Sequence, residues 1–273
     1  LGFDKIVVFD TRVEFEANLH DICKANLWLR TAGRVYVKIA KFIATSFDEL
    51  FEKTKATGWS DWIGKSDQFP ITQVASKKSR LFSKSDCQSI VKKAIVEQLR
   101  TAYKTIHLPE TDALYPVRIM IESDEVSLLI DTSGTGLNKR GYRIHQDMAP
   151  LRETLAAGLI LLSRWYPKKD VFLDPFCGSG TIAIEAGLIA KNRAPGLLRT
   201  FNSQSWQCLS QTVWDEAINQ AKALEVDDPE VAIIASDYNP RVIALAQQNI
   251  KAANLTNITV QQIELQHLKP IDQ

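Results

Sequence analysis

Val171-Phe-Leu-Asp-Pro-Phe-Cys-Gly-Ser-Gly-Thr-Ile182 is the stretch that decides the fold. A short apolar run ends in an acid, a glycine-rich turn follows, and apolar residues then recur at helical spacing through 181–190. A strand, turn and helix in this order sit where open α/β sheets bind ligands, beyond the carboxyl ends of the strands. Gly178 and Gly180 can take positive φ and let the backbone approach a ligand with no Cβ between them. Asp174, at the strand end, narrows the chemistry. A carboxylate there would repel a pyrophosphate a few Å away, whereas it suits a ligand carrying an ammonium or sulfonium group. A second unit, Ala232-Ile-Ile-Ala-Ser-Asp-Tyr-Asn-Pro-Arg241, repeats the pattern. An acid ending the second strand typically accepts from ribose hydroxyls, which assigns Asp237 to a ribose and places Tyr238 to pack on a base. Asn239 and Pro240 read as N-cap and first helical residue.

Working outward, 171–174, 181–190, 231–236, 240–253 and 258–262 alternate as strand and helix, which predicts a parallel sheet covered by helices. Asp174 and Asp237 are 63 residues apart, far above the ~20 of a dinucleotide-binding unit. A nicotinamide dehydrogenase is therefore disfavoured, and 192–230 reads as an insertion or an extra helical segment. Upstream, Pro150 is expected to start a helix with Leu151, Leu155, Leu159 and Leu162 on one face. The alternation of Val117, Ile119 and Ile121 with Val126, Leu128 and Ile130 around Ser123-Asp124-Glu125 predicts a β-hairpin. Strands are expected at 6–9, 35–39 and 71–75, and helices at 19–29, 47–58 and from Ser85 or Asp86 onward. The Gly-rich 131–143 reads as a loop.

The chain has 273 residues with net charge +1, and 45% hydrophobic and 24% charged residues, an ordinary globular composition that excludes disordered and fibrous classes. Its longest apolar run, 155–162, is far short of the ~20 residues of a membrane helix. Four cysteines without a CxxC pair, and four histidines, predict a reduced, cytoplasmic, metal-free protein. The N-terminus lacks both Met and a leader pattern, and reads as that of a fragment without a targeting signal. Charge is uneven: Lys77, Lys78, Arg80, Lys84, Lys92 and Lys93 face a single acid, Asp86, across 77–93. That window is either a polyanion contact or a solvated helix face.

Asp174-Pro-Phe-Cys-Gly-Ser-Gly-Thr-Ile-Ala-Ile-Glu-Ala186 resembles motif I of class I S-adenosylmethionine-dependent methyltransferases, in the variant seen in RNA methylases. With Ser133-Gly-Thr-Gly-Leu-Asn-Lys-Arg-Gly-Tyr-Arg143, Ala149-Pro-Leu-Arg-Glu-Thr-Leu-Ala-Ala157 and Asn192-Arg-Ala-Pro-Gly196, the chain is similar over nearly its whole length to the THUMP-domain RNA methylases. These are akin to bacterial 23S rRNA guanine-N2 methyltransferases and are often labelled N6-adenine-specific DNA methylases. The resemblance implies an α/β protein with a ferredoxin-like piece at 1–50, a THUMP-like RNA-binding domain at 51–143 and a Rossmann-like methyltransferase domain, truncated at its C-terminus, at 144–273. It implies S-adenosyl-L-methionine as cofactor, held by Asp174, Pro175, Phe176, Cys177, Gly178, Ser179, Gly180, Glu185, Asp237 and Tyr238. For Glu185 it implies a role in orienting the turn, where plain electrostatic capping is the alternative. The implied partner is RNA, 23S rRNA in particular, met by Lys77, Lys78, Arg80, Lys84, Lys139, Arg140 and Arg143. Relatives that methylate an exocyclic amine use an Asn/Asp-Pro-Pro-Tyr/Phe tetrad after the fourth strand. No Pro-Pro occurs here, so no catalytic residue is assigned. An N6-adenine DNA methylase and a non-catalytic RNA-binding adaptor stay open as alternatives.

Overall fold

Alternating apolar residues and turn signals place most of the strands, and what they leave open is which strands share a sheet. The computed structural model describes residues 1–143, 150–227 and 229–268. The chain begins with a hairpin, β1 (Asp4–Val8) and β2 (Val13–Glu16), followed by α1 (Leu19–Trp28), which is closed by an Asn18–Asp21 capping box. β3 (Tyr36–Ile43) and α2 (Phe47–Lys55) come next, then β4 (Ile71–Lys77), α3 (Lys84–Ala102), β5 (Val117–Glu122) and β6 (Glu125–Asp131). The sheet order β3-β6-β5-β4 puts β3 in the same sheet as β4, β5 and β6. A division at residue 50 therefore passes through α2, away from the strand it follows. Ser123 and Asp124 both take positive φ, the geometry of a two-residue turn matched to strand twist.

Beyond the loop lie α4 (Glu153–Ser163), β7 (Phe172–Asp174), α5 (Thr181–Ala190), α6 (Gln211–Ala223), β8 (Ile233–Asp237), α7 (Pro240–Ala252) and β9 (Ile258–Gln262). β7, β8 and β9 pair in parallel in that order, as the strand and helix alternation predicts. The expected division after residue 143 abuts 144–149, and Ala149, which opens the 149–157 run, lies with them outside the described residues. Pro150 does not open α4. Arg152 is its N-cap. The leucine face also points the other way: α4 buries Glu153, Ala156, Ala157 and Ile160 against α5, while Leu155, Leu159 and Leu162 are exposed, Leu162 by 80%.

The insertion between α5 and β8 does not stay with its own sheet. Phe201, Trp206, Leu209, Trp214, Ala217 and Ala221 join the hydrophobic core of the N-terminal half, and α6 packs on α1. Trp206 stacks on Tyr115 at 4.5 Å and donates its indole N–H to the Leu114 carbonyl at 3.0 Å. Gly196 lies against α1 so closely that a Cβ would stand 2.8 Å from the Asn26 carbonyl oxygen and the Leu27 Cα. Arg199 gathers the carbonyls of Ser133, Gly136 and Lys139, which is how the glycine-rich loop holds its shape without a strand or helix of its own.

Candidate cofactor site and RNA surface

β7 and β8 end side by side, so Asp174 and Asp237 come together at the carboxyl edge of the sheet with the turn between them. Cys177 donates its backbone N–H to the Ser236 carbonyl at 2.9 Å, and Gly178 donates to Asp237 Oδ2 at 3.1 Å, so β8 anchors the turn. Gly178 and Gly180 have φ of +51° and +84°, and a Cβ on Gly178 would meet nothing within 4 Å. Gly180 instead serves packing, since a Cβ there would stand 3.2 Å from that of Ala246. Asn249 of α7 donates to the Ser179 carbonyl at 3.1 Å.

Asp174 is buried. Its Oδ1 accepts from the Phe176 N–H at 3.4 Å, and its Oδ2 has no partner among the described residues. Burial, with the Asp237 carboxylate adding to it, pushes the Asp174 carboxyl above its ordinary range. A buried acceptor without a donor is costly unless a ligand supplies one. Asp237 Oδ1 accepts from the Asn239 N–H at 3.0 Å, and Asn239 caps α7 by accepting from the Arg241 N–H at 3.0 Å. Phe176 and Tyr238 stand 67% and 70% exposed. Pro175, which follows Asp174, is half-buried. Burial raises the Cys177 thiol to about 12, which leaves it no role as a thiolate nucleophile.

Glu185 sits elsewhere. It is fully buried in the second turn of α5, past the N-terminal amides, and its hydrogen-bond partners are Tyr142 and Arg140. Its Oε1 accepts from Tyr142 Oη at 3.2 Å and from Arg140 Nε at 3.4 Å. Burial raises its carboxyl against the pull of Arg140 and Arg30, and desolvation takes the Arg30 guanidinium down to about 10. Arg30 in turn donates to the Arg193 carbonyl at 2.7 Å. Glu185 thus joins α5 to the loop before it and to the end of α1.

Arg140 and Arg143, expected to contact RNA phosphates, are not surface cations. Arg140 is 2% exposed and committed to Glu185, Leu137 and Arg30. Arg143 is held by Glu153, Thr181 and Ser179. Neither guanidinium stands out from the surface as an RNA-phosphate contact would: each is buried against a carboxylate, Glu185 for Arg140 and Glu153 for Arg143. Lys77, Lys78, Arg80, Lys84 and Lys139 are exposed. The loop between β4 and α3, which carries Lys78 and Arg80, is fixed from beneath: Asp124 Oδ1, in the hairpin turn, accepts from Ser79 Oγ at 2.8 Å and from the Arg80 N–H at 2.7 Å. Leu81 is buried, and Ser76 donates to its carbonyl at 2.7 Å. Lys92 leaves the cationic set, because it pairs with Glu110 at 2.8 Å over the Phe69 ring.

A cleft of about 2080 Å³ opens between the β1–β2 hairpin, α1 and the outer face of the four-stranded sheet, lined among others by Tyr36, Lys38, Arg118, Lys139, Arg143 and Glu153. It is larger than the 300–1,000 Å³ usual for small molecules. The glycine turn does not line it. Sequence reasoning gave no role to Arg30 and placed Tyr142 and Glu153 only within the runs that carry the resemblance.

 The missed signal was one of charge: Glu153 and Glu185 are the two acids among otherwise apolar helix residues at 153–163 and 181–190, a pattern that asks for buried cationic partners.

A parallel sheet with acids closing its first two strands, and an open glycine turn between them, defines the cofactor-binding half of a class I S-adenosylmethionine-dependent methyltransferase. The residues present fit that group: an unpartnered buried carboxylate, open space at Gly178 and two exposed aromatic rings beside them. Family models match in the same order along the chain: the RlmL ferredoxin-like domain at 1–36, the THUMP domain at 44–131 and the RMKL-like methyltransferase domain at 140–272. The chain is 46% identical over 260 residues to the Bacillus subtilis (strain 168) protein named "Putative RNA methyltransferase YpsC", covering 94% of this chain and 67% of that one. It is 32% identical over 281 residues to the ribosomal RNA large subunit methyltransferase K/L of Buchnera aphidicola, covering 98% of this chain and 39% of that protein. Among solved structures it matches a predicted N6-adenine-specific DNA methylase from Listeria monocytogenes, with TM-score 0.95, 46% identity and coverage of 99% and 71% of the two chains. It also matches SMU.472 complexed with SAH, with TM-score 0.92, 35% identity and coverage of 98% and 71%. The chain belongs to the THUMP-domain, RMKL-like methyltransferase family.

Proposed function

We propose that this chain supplies the cofactor-binding and RNA-binding parts of an S-adenosylmethionine-dependent methyltransferase that modifies an exocyclic amine, N2 of guanine, in 23S rRNA in the cytoplasm. The observation that carries the cofactor reading is the buried Asp174 Oδ2 without a partner, beside an open Gly178 and the second acid, Asp237. In this reading Asp174 receives the ammonium of the cofactor's amino-acid end, Asp237 the ribose hydroxyls, and Tyr238 and Phe176 pack on the base. When bound, the cofactor supplies an electrophilic methyl group on a sulfonium. The chain's own residues bind and orient it, and none of them is assigned to the transfer step.

RNA is favoured over DNA by the THUMP match at 44–131 together with a fixed loop that presents Lys77, Lys78, Arg80 and Lys84 to solvent. The names of the relatives YpsC and K/L point the same way. Lys139 lines the cleft beside the β1–β2 hairpin, whose size admits a nucleic-acid strand. The divisions at 50 and 143 remain part of this proposal. Among the described residues no group of His, Cys, Asp or Glu could hold a metal ion, and no helix is long and apolar enough to cross a membrane. Calorimetry tests the cofactor reading. S-adenosylhomocysteine should bind and NAD should not, and NAD binding in the absence of S-adenosylhomocysteine binding would overturn it.

A further inference from the structure

Arg143 is a buried cation that no surface role explains. Its side chain is 7% exposed and its ion-pair partner, Glu153, 4%. Nε donates to Glu153 Oε1 at 3.0 Å, Nη2 to Thr181 Oγ1 at 2.8 Å and to the Leu151 carbonyl at 3.3 Å, and Nη1 to Ser179 Oγ at 3.4 Å. Among the described residues these bonds use four of the five N–H groups of a guanidinium, and the fifth is on Nη1, the nitrogen that reaches the turn. Arg143 therefore ties the loop end, the start of α4 and the start of α5 together at one place. Glu153 fixes the guanidinium plane, so the group is oriented before any ligand arrives.

Two groups of opposite charge consequently flank one turn: Asp174 before it, with a free Oδ2, and Arg143 against its far end at Ser179 and Thr181. An α-amino acid carries an ammonium and a carboxylate on a single carbon, and this pair of charges is its complement. We propose that Arg143 receives the α-carboxylate of the cofactor's amino-acid end while Asp174 receives the ammonium. This inference rests on the S-adenosylmethionine reading of the turn. A planar, always-charged fork suits a carboxylate and holds its geometry, whereas a lysine at the same place keeps the charge and loses the fork.

The test is calorimetry with three probes that share the nucleoside and sulfur: S-adenosylhomocysteine, its carboxamide, and 5′-methylthioadenosine, which lacks the amino-acid end. The wild-type chain should bind S-adenosylhomocysteine at least tenfold more tightly than the carboxamide. Arg143→Lys and Arg143→Ala should weaken S-adenosylhomocysteine by tenfold or more, leave 5′-methylthioadenosine within twofold, and erase the discrimination against the carboxamide. Equal binding of acid and carboxamide by the wild-type chain overturns the proposal without any variant, so a variant that fails to fold does not protect it. An equal loss of S-adenosylhomocysteine and 5′-methylthioadenosine in both variants also overturns it, because Arg143 would then only support the turn. If the wild-type chain binds 5′-methylthioadenosine but shows no gain from the amino-acid end, the Arg143 assignment alone falls. If it binds none of the three probes, the cofactor reading falls and takes the assignment with it.

Discussion

In the proposed cofactor site, Asp174 would trade stability for binding. Its carboxyl is raised above the usual range by burial first and by Asp237 second. The folded chain therefore holds this proton to a higher pH than the unfolded chain does, so the stability it contributes is present below about pH 4 and is lost as pH rises through the folded value. A cationic ligand favours the ionised form, so its affinity should rise over the same window with release of a proton. Asp174→Asn should raise apo stability at pH 7 by on the order of 1 kcal/mol, seen as a higher melting temperature, and weaken S-adenosylhomocysteine at least tenfold. Paired thermal melts and calorimetry check both halves, and a variant with lower apo stability and unchanged affinity would make Asp174 a structural residue. Asp237→Ala should cost about 1.5 to 3 kcal/mol of affinity through lost charge-assisted bonds. It also frees the Gly178 N–H, so the loss should reach 5′-methylthioadenosine as well as S-adenosylhomocysteine.

At the scale of elements, α5 is held at two points by different acids and bases. Its N-terminus meets Arg143, and its second turn meets Arg140, Tyr142 and, more distantly, Arg30 through Glu185. Glu185→Gln leaves two buried guanidinium groups facing a neutral amide, which should cost about 3 to 5 kcal/mol and lower the melting temperature by on the order of 10 °C. An unchanged melt with weakened S-adenosylhomocysteine binding would return Glu185 to the service of the turn. α4 makes the opposite case. Its exposed Leu155, Leu159 and Leu162 can become Gln with a change within about 0.5 kcal/mol, since surface positions away from caps and ion pairs tolerate replacement. Periodicity located α4 within three residues and chose the wrong face for the core, because α4 is apolar on both faces and only the buried Glu153 marks the inner one. Periodicity did place β9 and α5 at the observed residues, where the pattern is strong and the ends are marked by Gly180 and by turn residues. β2 was not legible: Val13 to Glu16 alternates too briefly to stand out, and its strand state depends on pairing with β1. The turn and its two acids were legible because one strand end and one glycine pair suffice to define them. The clamp on α5 was not, since its members lie at 30, 140–143, 153 and 185 and meet only in three dimensions.

At the scale of the whole molecule, the cations proposed to meet RNA lie in the N-terminal half of the chain, before the cofactor turn in sequence. A Lys77/Lys78/Arg80 triple alanine variant should bind an rRNA hairpin more weakly, with a log–log salt slope shallower by roughly two or more if each cation meets one phosphate. Its S-adenosylhomocysteine affinity should not move, and an unchanged salt slope would mean that these residues only face water. The two halves are less separable in folding than in binding. The N-terminal core reaches from Ile22 to Leu137 but is finished by Phe201, Trp206 and Trp214, which the chain supplies only after β7 and α5. On a ribosome adding about 5 to 20 residues per second, roughly 4 to 15 s separate the emergence of Leu137 from that of Trp214. During that interval Tyr115 has no indole to stack on, and the face of α1 that will receive α6 is bare. Residues 1–143 alone should accordingly show helical far-ultraviolet dichroism without the sharp near-ultraviolet bands of packed aromatics, and gain those bands when extended through 227. Synthesis of this protein therefore leaves its first half waiting on its second, a delay in which a chaperone that shields aromatic surface would raise the yield of folded chain.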